Sequence, residues 1–199
     1  IDVQDSLDVE TRHCFWLADA DTRSEPGTAP AEWTNLAIEL QGCPSYNPPT
    51  TKHTFRKDGL FYIYTSGTTG LPKAAVFNHG RWMKAYGGFG YTFNLGKDDV
   101  LYATLPFYHA TAMVVCWGSV LAGNAGIALR RKFSASEFWD DCRKYNATAI
   151  GYVGELCRYL LERPASIADR QHKVRKMVGN GLRPNIWGGF KNRFGIEEV

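Results

Sequence analysis

The sequence has no C-x-x-C pair, and its five cysteines (Cys14, Cys43, Cys116, Cys142 and Cys157) are odd in number. That excludes a fully paired disulfide scaffold, argues against a zinc site and points to a reducing compartment. No basic-then-apolar leader opens the chain, which starts at Ile1. There is no internal repeat and no low-complexity tract, so solenoids and disordered tails are set aside. The uncharged run Ala110–Leu129 is long enough to cross a bilayer. However, Leu121-Ala-Gly-Asn-Ala-Gly126 breaks it into a buried helix and a short buried strand. Charge of one sign is also scarce, because the net value is only +3.

What charge there is lies unevenly. Residues 1–99 carry nine Lys/Arg against twelve Asp/Glu, and residues 100–199 carry fourteen against eight. A basic half attracts phosphates or acidic surfaces, or is simply a set of solvated helix faces. No nucleic-acid recognition motif accompanies the charge, so no nucleic-acid partner is expected. At 199 residues the chain suits one domain, or part of a larger one, with enough apolar residues for a substantial core.

Residues 1–59 read as an irregular leading segment. It holds a short strand at His13–Ala18, a helix-like stretch at Ala31–Leu40 and a loop at Gly42–Thr51. From residue 60 strands and helices alternate. Strands are expected at Leu60–Thr65, Lys73–Phe77, Val100–Leu105, Gly126–Arg130, Ala147–Val153 and Val174–Val178. Helices are expected from the Asn78 cap to about Tyr91, at His109–Leu121, from a Ser134–Glu137 capping box to about Tyr145, at Glu155–Glu162 and at Pro184–Phe194. Alternation at this spacing predicts an α/β fold, a largely parallel sheet flanked by helices in αβα layers. Near-continuous apolar runs such as Ala147-Thr-Ala-Ile-Gly-Tyr-Val153 suit strands buried on both faces. Ligands of such sheets bind at the carboxyl ends of the strands. Parallel topology predicts that the loop after Thr65, Leu105–His109, Val153–Glu155 and Gly179–Gly181 share one edge.

The most specific stretch is Tyr64-Thr-Ser-Gly-Thr-Thr-Gly-Leu-Pro-Lys73. Glycines let backbone N–H groups approach a phosphate, the Ser66, Thr68 and Thr69 hydroxyls add neutral donors, and Lys73 adds a full charge. The spacing is not that of the common P-loop, where lysine follows the last glycine directly; Leu71 and Pro72 intervene. The G-x-G-x-x-G pattern is missing as well. The alternative is a hydroxyl-rich hairpin between two strands.

The whole string resembles the signature of the adenylate-forming superfamily, which includes acyl- and aryl-CoA ligases. The resemblance implies that Thr65, Ser66, Gly67, Thr68, Thr69, Gly70 and Lys73 bind the phosphates of ATP. Leu105-Pro-Phe-Tyr-His109 is similar to the family segment beside the acyl carboxylate. That implies an acyl site with Tyr108, His109, Met113 and Tyr152; an ordinary core role stays open for His109 and Met113. Three more strings resemble the fatty-acid-transport-protein branch, or very-long-chain acyl-CoA synthetases. They are Lys132-Phe-Ser-Ala-Ser-Glu-Phe-Trp-Asp-Asp-Cys142, Tyr152-Val-Gly-Glu-Leu-Cys-Arg-Tyr-Leu-Leu161 and Val178-Gly-Asn-Gly-Leu-Arg183. By that resemblance Gly179, Asn180 and Gly181 approach the adenine. The bland readings are an amphipathic helix, a Glu155–Arg158 surface pair and a strand-to-helix turn.

The resemblance covers about Leu60 to Gly195 and makes residues 60–199 a partial AMP-binding subdomain. The implied parent is an acid–thiol ligase that uses ATP, Mg2+ and coenzyme A on long or very long fatty acids. The family's tyrosine, glutamate, ribose-binding aspartate and mobile-domain lysine match no position here, so no metal ligand is named. The chain alone is expected to catalyse little. Two rival functions remain: a fatty-acid carrier, and a ligase for a different carboxylic acid. The expected setting is cytoplasmic or on the cytoplasmic face of a membrane, with a peripheral contact left open.

Overall fold

The computed structural model describes residue 10, residues 14–18, residue 30, residues 32–65 and residues 73–199. Residues 1–53 and 54–199 form two compact units. In the first, strands β1 (Phe15–Trp16) and β2 (Thr34–Asn35) pair in parallel. Asn35 then caps α1 (Leu36–Gln41) by accepting from the N–H groups of Ala37 and Ile38. Helix therefore starts at Leu36, later than the expected stretch, because Asn35 suits a cap better than a helix interior. Pro49–His53 is a 3₁₀ turn that overlaps the end of the expected loop and runs two residues past it.

The second unit opens with an antiparallel hairpin of β3 (Gly59–Thr65) and β4 (Lys73–Asn78). Phe61 lies opposite Phe77 with the rings stacked at 5.1 Å, and Trp82 closes edge-on at 6.0 Å. This corrects one expectation. The hairpin is a separate two-stranded sheet, so the loop after Thr65 is not a strand end of the parallel sheet. The reason is length: a parallel return needs a crossover of a dozen or more residues, whereas only residues 66–72 separate these strands. Those residues, with Ser66, Gly67, Thr68, Thr69 and Gly70 among them, lie outside the described residues.

Asn78 caps α2 (His79–Phe93) as expected, with its side-chain oxygen accepting from Arg81 N–H at 2.8 Å. Gly87, Gly88 and Gly90 do not end the helix; left-handed Asn94 does. The parallel sheet follows, with β5 (Val100–Ala103), β6 (Gly126–Leu129), β7 (Ala149–Val153) and β8 (Lys176–Asn180) in the order β6-β5-β7-β8. Between them run a π-helix (Thr111–Cys116), α3 (Trp117–Gly123), α4 (Phe138–Lys144) and α5 (Gly154–Glu162), and α6 (Pro184–Phe194) ends the series.

The period of two along the strands sorts the core. Tyr102, Ile150 and Met177 pack on one face with Phe138, Leu156, Leu160, Phe190 and Phe194 from α4, α5 and α6. Leu101, Ala103 and Ala149 pack on the other with Phe93, Cys116 and Val120. The result is helices on both faces of a parallel sheet. Asn124, left-handed after α3, makes the break read from Leu121–Gly126. Among the described residues no helix is long and apolar enough to cross a membrane.

Two local expectations fail. The Ser134–Glu137 capping box is not made, and α4 begins at Phe138 without a side-chain cap. Ser134 instead shares a hydrogen bond with Ser136, and Glu137 is drawn to Arg130. A reciprocal box does form at Ser166 and Asp169, on a short 3₁₀ helix. Strand β8 starts two residues later than expected and carries Asn180 to the sheet edge.

Candidate active site

Because β5 lies between β6 and β7, the chain leaves β5 in one direction and returns to its other side. That reversal opens a crevice at the carboxyl ends of β5 and β7, where open parallel sheets bind ligands. Three segments singled out by sequence meet there. Leu105–His109 leaves β5, Gly154 follows β7, and Gly179–Gly181 ends β8.

Their approach is close enough to demand glycine. A Cβ on Gly154 would sit 1.8 Å from Gly181 O, and one on Gly179 would sit 2.0 Å from Tyr152 O. Gly181 has a φ of 73°, a conformation L side chains rarely adopt. Across the crevice the Asn180 side-chain amide donates to Thr111 Oγ1 at 3.4 Å, which links β8 to the first turn of the π-helix. Arg183 reaches Glu155 at 3.5 Å, and Glu155 also accepts from Arg158 at 2.8 Å, the surface pair read from sequence.

Tyr108 and His109 are exposed, with ring centroids 5.3 Å apart. His109 N–H donates to Pro106 O and His109 O accepts from Met113 N–H, both at 3.0 Å, so the turn and the helix behind it hold this segment in place. Met113 is half-buried in the π-helix. Tyr152 is buried, and burial raises its hydroxyl pKa. Lys73 is exposed at the loop end of the hairpin, opposite Thr65. Among the predicted residues, then, Tyr108, His109, Tyr152, Gly179, Asn180 and Gly181 stand on the segments at one sheet edge. Met113 is one turn behind, and Thr65 and Lys73 end the hairpin.

Sequence reading missed three contributors. Thr111 partners Asn180, and only its place two residues after His109 signals it. Gly151 lets the π-helix approach β7, since a Cβ there would meet Cys116 Sγ at 2.4 Å. Thr104, at the end of β5, buries a hydroxyl that has no hydrogen-bond partner among the described residues. No group of three His, Cys, Asp or Glu side chains gathers to hold a metal among the described residues.

The model of the family described as "AMP-binding enzyme" matches residues 3–199. The chain belongs to the AMP-binding enzyme family. Human long-chain fatty acid transport protein 1 is 53% identical over 144 residues, covering 71% of this chain and 22% of that protein. The medium/long-chain fatty-acid–CoA ligase FadD6 of Mycobacterium tuberculosis is 49% identical over 159 residues, covering 78% of this chain and 26% of that ligase. This AMP-binding chain thus spans about a quarter of the length of these curated relatives. Among solved structures, the N-terminal domain of FACL13 from Mycobacterium tuberculosis superposes with a TM-score of 0.71 at 20% identity, covering 83% of this chain and 42% of that one. ATP-bound MatB from Rhodopseudomonas palustris gives 0.60 at 23% identity, covering 69% and 28%. These two likenesses establish the fold, the α/β architecture of adenylate-forming N-terminal domains.

Proposed function

We propose that the protein carrying this chain is an acid–thiol ligase. It converts a long- or very-long-chain fatty acid, ATP and coenzyme A into acyl-CoA, AMP and pyrophosphate. The observation that supports this most is the meeting of three strand ends, with Asn180 bonded to Thr111 across the crevice. The names of the relatives supply the substrate class.

In the first half-reaction a fatty-acid carboxylate oxygen bonds to the α-phosphorus of ATP, and the bond from that phosphorus to the pyrophosphate oxygen breaks. In the second, the coenzyme A thiol gives up its proton and bonds to the acyl carbon, and the bond to AMP breaks. A carboxylate is a poor acyl donor because its leaving group is poor, and AMP is a better one. The protein's part is positioning and charge neutralisation. Thr65, Ser66, Gly67, Thr68, Thr69, Gly70 and Lys73 take the phosphates, with Lys73 drawing charge from the departing pyrophosphate. Gly179, Asn180 and Gly181 approach the adenine. Tyr108 and His109 flank the carboxylate, and Met113 and Tyr152 line the acyl path. No side chain serves as a covalent nucleophile.

Carboxylate-dependent ATP–pyrophosphate exchange by the whole protein, over fatty acids from short to very long, tests this. Exchange with long chains is the expected result. A folded protein that binds fatty acids yet exchanges with none is instead a carrier, the second reading favoured by the transport-protein relatives. Exchange with a different carboxylic acid alone moves the substrate class. We place its work in the cytoplasm or on the cytoplasmic face of a membrane.

A further inference from the structure

The open end of the β3–β4 hairpin gathers positive charge from two distant stretches. Gly80 N–H donates to Arg56 O at 2.7 Å, and His79 N–H donates to Asp58 O at 3.1 Å. The segment before β3 is thus laid across the first turn of α2. Gly80 permits this, because a Cβ there would already lie 3.0 Å from Arg56 O. Arg56 and Lys57 consequently stand beside Arg81 and Lys84, which are one turn apart on α2. Together with Asn78 and Gly80 they line a cavity of about 390 Å³.

No carboxylate lines that cavity. None of the four cations forms an ion pair with a described residue, whereas Arg130, Arg143, Arg158, Arg175 and Arg193 each meet an acid. Asp58, the acid next in sequence, turns back to accept from Phe55 N–H at 2.7 Å. Arg81 contacts Val76 O at 3.4 Å and stands over the Phe77 ring at 5.6 Å. Four like charges around one cavity repel one another, and a bound anion relieves that repulsion.

We propose that this cavity is a second anion site, built for a clustered phosphate group. Two guanidinium forks and two ammonium groups match the several oxygens of a phosphate better than a single carboxylate. The site is distinct from the glycine loop. The Gly59–Asn78 pair marks one end of the hairpin and Thr65–Lys73 the other. At about 3.3 Å per residue these ends are roughly 20 Å apart. The inference does not rest on the ligase reading. The phosphate comes from a soluble ester or from a lipid headgroup; exposed Phe55 and Met83, adjacent in sequence to Arg56 and Lys84, give the second source an apolar footing.

The test uses the whole protein and the variant Arg56→Gln/Arg81→Gln/Lys84→Gln. The probes are inorganic pyrophosphate, followed by calorimetry, and phosphatidylcholine vesicles containing phosphatidylinositol phosphate, followed by sedimentation. The variant should bind at least one probe about tenfold more weakly than wild type. Because the glycine loop also takes pyrophosphate, the comparison is repeated in a Lys73→Ala background, where the triple variant should still lose about tenfold. All three side chains are exposed, so an unchanged melting temperature is expected; Lys57→Gln/Lys84→Gln serves as a milder pair. Loss for pyrophosphate alone assigns a soluble phosphate, and loss for vesicles alone assigns a headgroup. The proposal is overturned if wild type binds neither probe, if the variants bind both as wild type does, or if the triple variant's loss disappears in the Lys73→Ala background.

Discussion

Gly154 and Gly181 touch backbone to backbone, at the distance where a Cβ on the first would sit 1.8 Å from the carbonyl oxygen of the second. The start of α5 and the turn after β8 are thereby fixed to each other, and with them one wall of the crevice. We expect Gly154→Ala to cost about 2–4 kcal/mol, because backbone must move to admit it. Gly188→Ala in α6 is the control. Open space surrounds that position, and the substitution should gain about 0.5–1 kcal/mol. Urea denaturation of the two variants checks both signs.

Asp99 ties three strands at the opposite edge. It accepts from Gly96 N–H at 2.9 Å, from the Thr148 hydroxyl at 2.7 Å and from Arg175 at 2.6 Å. Burial opposes its ionisation, but the Thr148, Gly96 and Arg175 donors outweigh that and hold its carboxyl below the usual value. Its contribution is therefore full above the ordinary carboxylate range and is lost as pH falls through the depressed value. Asp99→Asn should cost about 1–3 kcal/mol near neutral pH and flatten the acid limb of the stability profile. Denaturant midpoints across that limb decide it.

His172 lies flat against Trp139, ring centroids 4.3 Å apart, and its Nδ1 accepts from Val174 N–H at 3.1 Å. That bond puts the neutral ring's proton on Nε2. Burial lowers its pKa, and nearby Arg143 adds to this against Asp169, which raises it. A depressed histidine stabilises the fold above its ordinary value of about 6.5, and that stability is lost as pH falls toward the folded value. His172→Phe should flatten the stability slope between about pH 7 and 5. An NMR titration of the wild-type ring should show a midpoint below that of a free histidine.

Cys43 is exposed, whereas Cys116, Cys142 and Cys157 are buried. Burial pushes the thiols of Cys116 and Cys157 up to about 12 and that of Cys142 up as well. Thiolate is the reactive form, so a maleimide should label Cys43 quickly and the buried three only on unfolding. Mass spectrometry of a labelling time course reads the order; early modification of Cys116 would contradict it.

Much of this was legible in the sequence where local chemistry and burial agree. Asn78 reads as a cap and is one, and Pro184 opens α6 where the proline pattern places it. The apolar runs behind β5 and β7 read as strands because both faces are covered. The hairpin was misplaced because periodicity identifies a strand without naming its partner. Glu137 escaped its predicted cap because Arg130, distant in the capping pattern, offers a full charge. At the site, His109 and the glycines carry their own signal, whereas Thr111 and Gly151 take their roles from contacts across 69 and 35 residues, which no local pattern encodes.

The π-helix gives chain length a say in what the crevice presents. Thr111–Cys116 fits more residues into its turns than an α-helix would, while Trp117–Gly123 beyond it is ordinary α-helix. Removing one residue within that stretch would let the two segments merge into a single α-helix. The flanks would keep nearly their present facing, since five α-helical residues turn about as far as six π-helical ones, and only the side chains within the stretch would be reassigned. A one-residue deletion would thus act as a selector of which side chain meets the substrate, with no change in the chemistry of any residue that remains.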